Sequence, residues 1–132
     1  MKSKIIIAAL LSLFAILPAA AQNNITSKLI GKWEATDSQK VTGRLNFLDS
    51  INIFVNIPDH PMPPGTYTID PTKTPMWFDI TIKQGNKIAI LKGLLKLIND
   101  NTLKWQIFQD GKRPDKFIKE NSDNTIILKK KT

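Results

Sequence analysis

Alternation of apolar and polar residues dominates the chain after its first twenty positions. Ile51, Ile53, Val55 and Ile57 are separated by Asn52, Phe54 and Asn56, a period of two with one apolar face that predicts a half-buried strand. The same pattern recurs at Leu103, Trp105 and Ile107, which alternate with Lys104 and Gln106. Eight strands are predicted in all: residues 29–36, 41–48, 51–57, 66–70, 76–83, 87–98, a seventh around 103–107, and 124–130. Turn signals separate most of them: Asp49-Ser50, Gln84-Gly85-Asn86, Asn99-Asp100-Asn101 and a proline-rich loop over residues 58–65. One segment has two readings. Ile88, Leu91, Leu95 and Ile98 also fit a helical stripe, but Gly93 would cost such a helix about 1 kcal/mol. The flanking turns favour a strand in which Gly93 marks a bulge or bend.

Short strands at this spacing predict a sandwich or a barrel. The chain has no cysteine, so no disulfide compensates for a small core. An eight-stranded barrel removes exposed sheet edges without one. Its interior is just wide enough to be filled by side chains or to hold one small ligand. The expected inward residues are Trp33, Ile53, Val55, Phe78, Ile80, Ile82, Ile88, Ile90, Trp105, Ile107, Ile126 and Leu128. Most are bulky, which predicts a narrow or filled interior and not a wide calyx.

The first residues read as an export leader rather than as part of the fold. Lys2 and Lys4 precede an apolar run over 5–17, and Pro18-Ala19-Ala20-Ala21 offers small residues for cleavage, so residues 1–21 are assigned as a signal peptide. The apolar run is shorter than the roughly 20 residues a spanning helix needs. Residues 22–132 then form one domain, periplasmic or secreted, with no stable membrane insertion after cleavage. The net charge of +8 includes Lys2 and Lys4, so the domain keeps about +6. Basic charge on an exported protein favours anionic surfaces or small acids. No nucleic-acid-binding motif accompanies it, and nucleic acid is not an expected partner. Lys129-Lys130-Lys131 read as solubilising charge.

The segment Tyr67-Thr68-Ile69-Asp70-Pro71-Thr72-Lys73-Thr74-Pro75-Met76-Trp77-Phe78-Asp79 is strand, rigid turn, strand. Asp70 can accept hydrogen bonds from the backbone just after it, and Pro71 presets a turn dihedral. The block resembles the Tyr-x-x-Asp-Pro-Thr-Lys-x-Pro stretch of an uncharacterised bacterial lipocalin-like domain family. Gly31-x-Trp33, Arg113-Pro114-x-x-Phe117 and the closing 126–130 stretch extend the resemblance over most of residues 29–130. It implies a closed, small, antiparallel up-and-down β-barrel, lipocalin-like, of about eight strands. It further implies that Trp33 plugs one end while a basic side chain from near the last strand lies across it. Where the family carries Gly-Ile-Tyr in the sixth strand, this chain has Gly93-Leu94-Leu95, so a hydroxyl is lost.

Candidate chemistry is sparse. Arg113 or Lys130 could bind a carboxylate ligand; for Arg113 the favoured reading is stacking on Trp33, a cation–π contact that needs no ligand. Tyr67, Trp105 and Arg113 are the candidate ligand-binding residues, and Trp33 the structural plug. Asp79 is either exposed beside Trp77 and Thr81 or turned inward and paired with Arg113. His60, the single histidine, lies in Pro58-Asp59-His60-Pro61-Met62; one histidine without cysteine assigns no metal site. No Gly-x-Ser-x-Gly elbow presents a nucleophile, so no catalytic residue, cofactor or enzymatic activity is assigned. The expectation is an exported binding protein that holds a small hydrophobic or amphiphilic ligand at the barrel mouth. The alternative is a side-chain-filled barrel whose outer surface binds an envelope polymer or protein.

Overall fold

A computed structural model describes residues 24–37, 40–58, 61–108, 112–118 and 125–132. The assigned leader, Asp59 and His60 lie outside the described residues. Eight antiparallel strands follow one another around a closed barrel: β1 (Gly31–Asp37), β2 (Lys40–Phe47), β3 (Asn52–Asn56), β4 (Gly65–Asp70), β5 (Met76–Gln84), β6 (Lys87–Asn99), β7 (Thr102–Phe108) and β8 (Thr125–Lys130). A short helix, α1 (residues 24–29), precedes β1. The fold is therefore the closed up-and-down barrel that the resemblance implies, where strand spacing alone left a sandwich open. The segment 87–98 is strand and not helix, paired with β5 on one side and β7 on the other.

Closure is made by a short seam. Trp33 faces Lys130 and Glu34 faces Lys129 across β1 and β8, and the Lys131 amide donates to the Lys32 carbonyl at 2.8 Å. A second narrow seam lies between β3 and β4, where Asn52 faces Thr66 and Ile53 faces Gly65. The β5–β6 hairpin, by contrast, is zipped along its whole length, from Met76 opposite Leu95 to Gln84 opposite Lys87.

The inner face of the barrel is the alternating set. Buried Ile53 and Val55 of β3, Tyr67 and Ile69 of β4, Phe78, Ile80 and Ile82 of β5, and Leu103 and Trp105 of β7 share one cluster with Trp33, Leu45, Phe47, Leu95 and Leu128. Two of the expected inward residues are elsewhere: Ile88 and Ile90 are 63% and 55% exposed. Pairing explains this correction. Phe78, Ile80 and Ile82 face Gly93, Leu91 and Ala89, so the inner face of β6 is its odd-numbered set. Ile88 and Ile90 belong to the outer face, opposite Lys83 and Thr81.

Gly93 also differs from expectation. β6 runs through it without a break in register; the irregularity falls between Leu97 and Asn99. What Gly93 provides is space. A Cβ at this position would stand 2.8 Å from the Trp105 indole nitrogen and 2.8 Å from the Gln106 carbonyl oxygen. Only glycine lets the indole of β7 approach the β6 backbone this closely.

Candidate functional site

The two ends of the barrel are built differently. At the α1 end the chain closes itself. The Ile30 amide donates to the Thr26 carbonyl at 3.1 Å and completes the last turn of α1. Gly31 then takes φ 127°, a conformation that side chains disfavour, and turns the chain into β1. Leu29, expected as the first strand residue, thus ends the helix. This sharp entry brings Trp33 under α1, where it is fully buried and its indole N–H donates to the Leu29 carbonyl at 2.8 Å. Trp33 is a plug, held by its own chain entry.

The cation over that plug is Lys130 rather than Arg113. Lys130 Nζ lies 5.4 Å from the Trp33 ring centre and donates to the Lys28 carbonyl at 3.1 Å. It therefore satisfies a helix-end carbonyl while covering an aromatic face. The other C-terminal lysines are also engaged. Lys129 donates to the Thr102 hydroxyl at 2.9 Å, and Lys131 pairs with Glu34 at 3.3 Å. The three lysines read as solubilising charge instead tie the last strand to three different neighbours.

Above the plug an aromatic layer fills the barrel. Phe47 and Tyr67 meet edge to face at 5.1 Å, Phe78 lies 5.8 Å from Phe47 and 6.0 Å from Tyr67, and Trp105 lies 5.8 Å from Phe78. The Tyr67 hydroxyl donates to the Asp49 carbonyl at 2.6 Å. It locks β4 to the turn between β2 and β3, and burial pushes its pKa up, with the Asp49 charge adding to the effect.

Beyond this layer lies a cavity of about 200 Å³. Its wall is apolar: Leu45, Val55, Leu91, Ile107, Ile126 and Leu128, with the Trp105 indole also lining it. Thr42, Arg44, Asn56 and Ile57 stand toward its mouth, on β2 and at the end of β3. Of the aromatic layer, Trp105 is the member that reaches the cavity.

Arg113 lies on the opposite side of the sheet. Its guanidinium sits 4.0 Å from the ring centre of Trp77, pairs with the Asp79 carboxylate and donates to the Gly93 carbonyl at 3.4 Å. Trp77, Asp79 and Leu94 form the outer face of β5 and β6, and residues 112–118 are strapped across it. Leu94 and Gln106, opposite each other on β6 and β7, are fully buried although they do not belong to the barrel interior. Asp79 therefore combines the two expected alternatives: it faces outward and is still paired with Arg113. The Asp70 turn forms as expected, its carboxylate accepting from the Thr72 amide at 3.0 Å and from the Thr72 hydroxyl.

Of the candidate ligand residues the structure thus places Trp105 in the cavity wall, Tyr67 in the filled half with its hydroxyl engaged, and Arg113 outside the barrel. Val55, Trp105, Ile107, Ile126 and Leu128 of the cavity wall are among the residues expected to point inward, whereas Leu45 and Leu91 are not singled out by the sequence. Leu91 is hidden in the sequence because the parity of β6 is fixed by its pairing with β5, where Leu91 faces Ile80.

A second concavity, of about 350 Å³, crosses the outer face of β1, β2 and β3. Phe54 is partly exposed there beside Lys32, Glu34, Arg44, Asn46 and Asn56. Arg44 donates to Glu34 at 2.7 Å, and this bond, with Lys131, holds the Glu34 carboxyl below its usual range. Among the described residues, no group of three histidine, cysteine, aspartate or glutamate side chains could hold a metal ion.

No protein-family model matches this chain, and no curated protein matches it. Among solved structures it is similar to a DUF4909 family protein from Staphylococcus aureus, with 13% identity and a TM-score of 0.51, over 78% of this chain and 97% of that one. At that identity the likeness concerns the fold alone: it is a second chain with this barrel architecture.

Proposed function

We propose that this chain is an exported, lipocalin-like binding protein that holds one small apolar or amphiphilic molecule at the open mouth of its barrel. The observation that carries this reading is the asymmetry of the interior. One end is sealed by Trp33 and the aromatic layer, and the other keeps an apolar cavity of about 200 Å³. Close packing is the rule inside proteins, so unfilled apolar space beside a sealed core favours an occupant. At about 200 Å³ the space falls below the roughly 300–1,000 Å³ of pockets for drug-sized ligands, so that occupant is small. Polar groups at the mouth would meet the head of an amphiphile while its apolar part enters the barrel. The leader pattern over residues 1–21 supports a periplasmic or secreted location. We read the protein as a binder and not an enzyme, since neither the motifs nor the cavity wall supplies a nucleophile or a general base. The test is calorimetric titration of the purified protein with toluene, fatty acids and haem, together with thermal unfolding. A ligand at 100 times its Kd should add about 2.7 kcal/mol of stability. Absence of saturable binding by every compound would contradict the reading.

The alternative, a surface-binding module for an envelope polymer or protein, is favoured by the outer groove around Phe54. An exposed aromatic ring flanked by amides and ion pairs offers a platform for a polar polymer. Substituting Phe54→Ala would abolish such binding and leave cavity binding unchanged.

A further inference from the structure

One side chain of the aromatic layer reaches the cavity. The barrel interior below it is occupied by Phe47, Tyr67 and Phe78, which do not reach the cavity. Trp105 lies between that layer and the open space, in contact with Phe78 on one side and lining the cavity on the other. Its position is fixed by Gly93, whose missing Cβ leaves room for the indole against the β6 backbone. An empty apolar cavity of about 150 Å³ takes up benzene. On that scale the 200 Å³ here admits about eight carbon atoms.

We propose that Trp105 sets the depth of this cavity and restricts its occupant to a compact molecule: a single aromatic ring, or an alkyl chain of about eight carbons whose polar head stays at the mouth. The inference rests on the binding reading above and deepens it. Long-chain fatty acids, sterols and haem exceed the space above the indole. Any charge on the ligand remains at the mouth, because the charged residue of the lining, Arg44, is half-exposed and already paired with Glu34, and an unpaired charge deeper in the apolar wall is costly.

The test is a titration of the full protein with toluene and with straight-chain 1-alkanols from four to fourteen carbons. Affinity should rise about threefold to fourfold for each added methylene up to about eight carbons, then level off or fall. Trp105→Leu deepens the cavity, and the length at which affinity levels off should move up by about two carbons or more. Trp105→Phe, a milder change that keeps an aromatic side chain, should move it in the same direction if the leucine variant does not fold. Affinity that keeps rising to fourteen carbons in the unaltered protein, or a limit unchanged in a folded variant, overturns the role of Trp105 while leaving the pocket itself in place. No saturable binding by any member of the series, toluene included, overturns both.

Discussion

The side chain of Gln106 binds the backbone of Ile118 as a neighbouring strand would: its amide nitrogen donates to the Ile118 carbonyl at 2.8 Å and its oxygen accepts from the Ile118 amide at 2.9 Å. Gln106 is fully buried, and its nitrogen also donates to the Thr125 hydroxyl at 2.9 Å. One side chain thus fastens residues 112–118 to the outer wall and reaches β8. Gln106→Leu should leave the barrel folded but cost about 1–3 kcal/mol, because buried partners lose their hydrogen bonds. Hydrogen exchange at the Ile118 amide should accelerate, while amides of β5 inside the sheet keep their protection. Uniform acceleration across the barrel would show that Gln106 supports more than the strap.

Trp33 gives the largest expected loss. Truncating a fully buried tryptophan leaves a large cavity, so Trp33→Ala should lower stability by about 3–5 kcal/mol in urea unfolding. A loss under about 1 kcal/mol would contradict its role as plug.

The Asp79–Arg113 pair is partly buried, with 30% and 11% of the two side chains exposed. Asp79→Asn leaves a mostly buried guanidinium without its counter-charge. It should cost about 1–3 kcal/mol, less than a fully buried pair because solvent reaches the carboxylate. In the double variant with Arg113→Leu, the loss should be smaller than the sum of the single losses. Additive losses would mean that the two residues act independently and that Arg113 is held by Trp77 alone.

Stability should fall in acid. Hydrogen bonds from Arg44 hold Glu34 down, those from Asn52 hold Asp49 down, and those from Thr72 hold Asp70 down, each below its ordinary value of 4.5 or 3.8. A carboxylate whose pKa is lowered by folding stabilises the protein above its unfolded pKa, and that contribution is lost as the pH drops through the folded value. The unfolding midpoint in urea should therefore hold level down to about pH 5 and decline below it, and Asp49→Asn should flatten part of the decline. Tyr67 acts in the other direction: its raised pKa favours the folded state below pH 10 and loses effect as the pH climbs past that point.

Much of this architecture is legible in the sequence, for reasons that mark where legibility stops. The eight strands follow from period-two alternation and from the turn residues between them, both local signals. The Asp70 turn is local too, since its partner Thr72 lies two residues on, and the plug at Trp33 is implied by the Gly-x-Trp resemblance. What is not legible depends on residues far apart in the chain. Ile88 and Ile90 look like core until pairing with β5 fixes the parity of β6. Gly93 looks like a bend until Trp105 occupies its space. Arg113 carries no sign that it will cover Trp77 instead of Trp33, because both are tryptophans beside apolar strands. The cavity depends on a set of side chains from β2, β3, β6, β7 and β8, and no single segment announces it.

The central claim is that a compact ligand occupies the space above Trp105. It is tested most directly by nuclear magnetic resonance of the methyl-labelled protein during addition of toluene. The methyl signals of Val55, Leu91, Ile107 and Ile126 should shift together and saturate, with direct magnetisation transfer from the toluene ring, while Leu29 under the plug stays unchanged. Shifts confined to outer residues such as Ile88 and Ile90, or no saturable shift at all, would contradict the account.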